Sequence, residues 1–234
     1  MHTAPPAQKK VRSLPEDYFS CAQFDQSRFI KFDDPTSFIL VKIFAFMVNM
    51  MIMANIARFY LLQDILVLEA GWAVMLANMS FIWTIPASQK ESKATSQEGA
   101  VIFVEVAHAF NLFVCAAFWL TEASSVFPKI PDSLSGTMFK IYLISVHTIP
   151  VITSTGQIVL TRMYLLKKDW MKVCVAGLAY MVCSGFITFL AGHPISTFAT
   201  WENVPHTVGK LLFQCVAMTV IHYVSAVISQ KYYA

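Results

Sequence analysis

Charge is what this sequence has least of. Asp, Glu, Lys and Arg make up 13% of its 234 residues, against 56% hydrophobic, and soluble domains carry about twice that charged share. The shortage excludes an ordinary soluble domain, and a mean hydropathy of +0.57 points the same way. A net charge of +3 with a pI near 8.6 gives no reason to expect a nucleic-acid partner. Cysteine is sparse and odd in number: Cys21, Cys115, Cys174, Cys183 and Cys215, with no CxxC and mostly in apolar runs. That excludes a closed disulfide framework and reads as small buried hydrophobes. HExxH, Cys-rich zinc spacing, P-loop and GxGxxG are all missing, so no metal or cofactor is expected. GxxxG and internal repeats are missing too. The first 35 residues lack an apolar h-region, so a cleaved secretory signal is not expected.

What is there is a series of apolar runs. A helix crosses a hydrocarbon core about 30 Å thick with roughly 20 mostly apolar residues. Six segments fit, at about 38–60, 67–87, 100–120, 141–161, 172–191 and 209–229. The expected fold is all-α: a polytopic integral membrane protein of six transmembrane helices over 36–234, preceded by a polar, partly ordered extension over 1–35. Tyr18, Phe19, Phe24, Phe29 and Phe32 in that extension suit packing on a membrane, a partner or the protein's own helices, more than a disordered tail.

Six crossings put both termini on one side. Twelve basic residues then fall on the terminal side: Lys9, Lys10, Arg12, Arg28, Lys31, Lys90, Lys93, Arg162, Lys167, Lys168, Lys172 and Lys231. Four fall opposite: Arg58, Lys129, Lys140 and Lys210. That bias orients both termini inward. It names a side without an organelle, and the mitochondrial inner membrane and the endoplasmic reticulum both remain open. Lys42, near one end of the first span, is expected to extend its charged tip to the interface.

Polar side chains inside the spans are the candidate sites, because each needs a partner, water or a ligand. Glu105 and His108 are three apart, so they share a helix face, and Asn111 continues the stripe. A structural network, an ion or proton function, metal or haem binding, and another catalytic role are all compatible with that stripe. Three intramembrane histidines, His108, His147 and His222, permit a bis-histidine haem. Depth separates them: His108 and His222 lie near one side and His147 near the other. Only the first pair matches, and only if its helices are neighbours. Ala73, Ala77 and Ser80 form a small-residue stripe suited to close helix approach. GHP at 192–194 reads as a helix stop, and His193 and His206 lie where they can line an entrance above His147.

The segments FVCAAFWLTEASSVFPKIPDSLSG and HTIP, with AAFW at 116–119, FPK at 127–129, HT at 147–148 and the spaced His, Trp and Pro of 193–205, carry a family likeness. The chain resembles the androgen-induced membrane proteins of the FAR-17a type, best over 103–228. The resemblance implies a six-span hydrolase of fatty-acid esters of hydroxy fatty acids, with a threonine nucleophile and a histidine in the membrane. His147 corresponds to that histidine. The threonine stands four residues after a tryptophan early in the second span, and counted from Trp72 that position is Leu76. Leucine cannot attack an ester, and the hydroxyl on the same span, Ser80, is one turn further on.

Two functions follow. A non-catalytic accessory component of a larger membrane assembly, contacting lipids and other membrane subunits, needs only the helical scaffold. An intramembrane hydrolase needs a nucleophile in hydrogen-bond reach of His147, for which Ser80 is the candidate.

Overall fold

The computed structural model describes residues 35–63, 71, 73–80, 94–161, 165–192 and 200–233. All regular structure among them is helical, the economical solution where no water is present to satisfy backbone groups. Helix α1 covers Pro35–Gln63 and α2 covers 73–80. Helix α3, Ala94–Ala117, continues through a π turn at Phe118–Glu122 into a short α4, Ala123–Val126, and a 3-10 turn at Phe127–Lys129. Helices α5, α6 and α7 cover Leu134–Thr161, Trp170–Ala191 and Val204–Tyr233.

Among the described residues four segments are long and apolar enough to cross a membrane: Val101–Lys129, Leu134–Val159, Lys167–Ala191 and Val204–Tyr232. They coincide with the third to sixth expected spans. The first expected span falls within α1, which is 29 residues long. Most of the second, together with Trp72, His193 and the 1–34 extension, lies outside the described residues.

The helices run past the apolar stretches because their ends are capped by polar groups. Ser133 Oγ accepts the Gly136 N–H at 3.1 Å, so α5 starts seven residues before the apolar run at 141. Asn203 Oδ1 accepts the His206 N–H at 3.1 Å at the start of α7, and each is an N-cap in the usual sense. The GHP stop holds at its first residue. Gly192 has φ 71° and donates its N–H to Thr188 O at 3.0 Å, a left-handed position that glycine occupies without a Cβ penalty.

Helix α3 is the inner element. It packs on α5, α6 and α7, and 67% of its spanning stretch is buried, against 22–33% for the other three. Phe110 meets Tyr180 of α6 edge-on at 5.3 Å, within a core that includes Val106, Phe113, Val146 and Met218. Leu120, Phe186, Phe189 and Phe213 face outward, the surface a hydrocarbon solvent calls for. Helices α6 and α7 pair extensively, meeting at Gly177, where an added Cβ would lie 2.9 Å from Cys215 Sγ.

Helix α1 runs against α5. Asn49 Nδ2 donates to Thr153 Oγ1 at 3.2 Å, the kind of interhelical bond expected of an asparagine in a span. Lys42 departs from expectation: it is buried rather than extended outward. Ala73, Ala77 and Ser80 are all buried, as a close-packing stripe requires.

Candidate functional site

The first candidate site is built by the π turn. One extra residue per turn shifts the helix phase, and here Phe118 and Trp119 come to lie against α5. The Phe118 ring stacks flat on the His147 imidazole, with centroids 3.8 Å apart and planes at 7°. Trp119 Nε1 donates to Thr148 Oγ1 at 3.3 Å, and Phe127 closes on Phe118 and Trp119 with both centroid distances at 5.9 Å. Three of the segments that carry the family resemblance, AAFW, FPK and HT, therefore meet in one aromatic cluster.

His147 is buried, and its Nδ1 lies 2.7 Å from Leu143 O. A carbonyl only accepts, so Nδ1 carries the hydrogen and the lone pair of the neutral ring is on Nε2. Among the described residues no serine or threonine oxygen is hydrogen-bonded to this ring. Ser80 is elsewhere: its Oγ donates to Ala77 O at 2.8 Å and pairs with Gln157 Oε1 at 3.1 Å. Gln157 is ten residues along α5 from His147, about 15 Å of helix. The structure does not bring Ser80 and His147 together. Leu76 is half-buried and packs on the core. His206 is exposed at the start of α7, and His193 is outside the described residues.

The second site lies toward the other end of the bundle. Between α5 and α6 the chain is non-helical at Leu165 and Leu166, and both residues are buried. Four backbone groups there need partners, since buried backbone N–H and C=O groups are rarely left unpaired. All four have one. Leu165 N–H donates to Ser229 Oγ at 3.1 Å, and Leu165 O accepts from Gln230 Nε2 at 3.0 Å. Leu166 N–H donates to Glu105 Oε1 at 2.8 Å, and Leu166 O accepts from His222 Nε2 at 2.8 Å. A 3-10 turn follows at Lys167–Asp169, and Asp169 pairs with Lys172 at 3.0 Å.

Comparison adds nothing further to this geometry. The chain matches no protein-family model, and no curated protein or solved structure is significantly similar to it.

Of the stripe read from the sequence, Glu105 holds the Leu166 amide, His108 Nε2 lies 3.2 Å from Ser225 Oγ, and Asn111 Nδ2 donates to Ala107 O at 2.6 Å. Helices α3 and α7 are indeed neighbours. His108 meets Ser225, in the α7 turn next to His222. Both Nε2 atoms are nevertheless engaged by protein, and a haem held through them would have to break the Ser225 contact and the clamp on Leu166. Among the described residues no three His, Cys, Asp or Glu side chains converge as metal ligands.

Ser225, Ser229 and Gln230 were missed, although with His222 they mark one polar stripe along α7 that spacing alone could reveal. Phe118 was missed as the ring that covers His147. Its signal, the aromatic pair of AAFW, was read only as part of the family likeness.

Proposed function

We propose that this chain is a non-catalytic component of a larger membrane-protein assembly, a six-span helical scaffold that contacts lipids and other membrane subunits. Both termini share one side of the mitochondrial inner membrane or the endoplasmic reticulum. One observation carries the reading: the histidine that would serve as base is tied to its own helix and covered by Phe118, while the candidate hydroxyl, Ser80, is bonded to Gln157 about 15 Å away along α5. Among the described residues no hydroxyl is hydrogen-bonded to that base, and covalent ester cleavage begins with one in its reach. Glu105, His222, Ser229 and Gln230 hold the backbone of Leu165 and Leu166, and Asn49 joins α1 to α5, which is scaffold work.

The second reading, an intramembrane hydrolase of the FAR-17a type, draws on a different observation. The Nδ1 bond to Leu143 leaves Nε2 of His147 as the basic nitrogen, the tautomer a general base uses. Purification of the native protein from its membrane in a mild detergent tests the first reading. The chain is expected to run as part of a complex that contains other membrane subunits at fixed ratio. Isolation as a lone chain under several detergents would count against it.

A further inference from the structure

Helices α1 and α5 touch at Asn49 and Thr153. Toward the end of the bundle that carries Arg58 and Leu134 they border a half-open groove of about 630 Å³, within the range of roughly 300–1,000 Å³ typical of small-ligand sites. Its lining follows two helical stripes. On α5 these are Leu134, Met138, Ile141 and Ser145, spaced by four, three and four, which is one face of a helix. On α1 they are Ile52, Asn55 and Arg58, spaced by three. Ile52 and Val146 are buried at the inner end, while Arg58 is exposed at the outer one.

Charge and depth select the occupant. Arg58 has no acidic partner among the described residues, and Asp132 at the same end is held by Lys140 at 3.0 Å. Arg58 stands five residues before α1 ends, and Leu134 is the first residue of α5, so this end of the groove lies at the level where head groups begin. A guanidinium there presents a planar fork that fits a phosphate. From Arg58 to Ile52 the groove descends about 9 Å along apolar walls, a path for acyl carbons rather than for water.

We propose that the α1–α5 groove binds one anionic glycerophospholipid, its phosphate on Arg58 beside Asn55 and an acyl chain along Met138 and Ile141. The site is separate from the His147 cluster and from the clamp on Leu166, and it does not depend on whether the chain is catalytic.

The test uses the full chain in phosphatidylcholine nanodiscs with spin-labelled phosphatidylglycerol or spin-labelled phosphatidylcholine as the probe. Wild type is expected to prefer phosphatidylglycerol by about fivefold, the effect of one basic residue near an anionic head group, with the preference shrinking as salt rises. Arg58→Gln should bring the ratio close to one, while Lys168→Gln, an exposed charge on the α5–α6 connection, should leave it intact. Ser145→Trp fills the groove without changing charge and should also abolish the preference; an unchanged melting temperature for either groove variant shows that the fold is retained. Equal binding of the two lipids by wild type, or a preference that survives Arg58→Gln, would overturn the proposal. A photocrosslinker at Met138 should label lipid, and labelling of a second copy of the chain instead would overturn it as well.

Discussion

Glu105 and His222 stand on different helices and hold the two backbone groups of a single residue, Leu166. A buried amide or carbonyl stripped of its partner costs about 1–3 kcal/mol. Glu105→Ala and His222→Ala are each expected to lower stability by about that amount in detergent unfolding. Glu105→Gln, which keeps an acceptor oxygen, should lose less. The double alanine variant should fall short of the sum of the two, because once one side of the clamp opens the other holds a loosened loop. Single variants as stable as wild type would show that water replaces these groups without penalty. At this scale the sequence revealed half of the arrangement. Glu105 and His108 three residues apart declared a common face, and their burial was legible from the apolar run around them. What they hold was not, because Leu165 and Leu166 read as two more apolar residues and nothing in a leucine announces that its backbone is irregular.

Helices were legible from apolar runs, and their ends were not. The run beginning at 141 marks where hydrocarbon starts, whereas α5 begins at Leu134 because Ser133 caps it. The π turn also escaped notice, since no residue type requires it, and with it went the placement of Phe118 over His147. Helix pairing shows the same limit. The α6–α7 contact turns on Gly177 facing Cys215, a match between two residues 38 positions apart in the chain. Gly177→Ala is expected to cost about 1 kcal/mol more in wild type than in a Cys215→Ala background, where the sulfur that an added Cβ would meet is gone. A thermodynamic cycle measures this, and strict additivity would place the α6–α7 contact elsewhere. Trp201 adds a strain that no pattern foretold. It has φ 61°, unusual for a bulky residue. It is held there by Nε1 donating to Ser184 Oγ at 3.0 Å and by its own N–H donating to Thr207 Oγ1 at 3.2 Å.

At the scale of the molecule, composition alone placed the chain among helical membrane proteins, and four described segments have the length and hydropathy to cross. Function was less legible because it depends on which polar residues meet across helices. The family resemblance, shifted by one turn from Leu76, offered Ser80 as the hydroxyl for His147, while packing pairs Ser80 with Gln157. The most direct test of the non-catalytic reading is the rate at which the purified full chain, in lipid nanodiscs, hydrolyses a fatty-acid ester of a hydroxy fatty acid. Wild type and His147→Ala should show the same rate, equal to that of empty nanodiscs. Turnover by wild type that disappears in His147→Ala would contradict the account and make His147 a catalytic base.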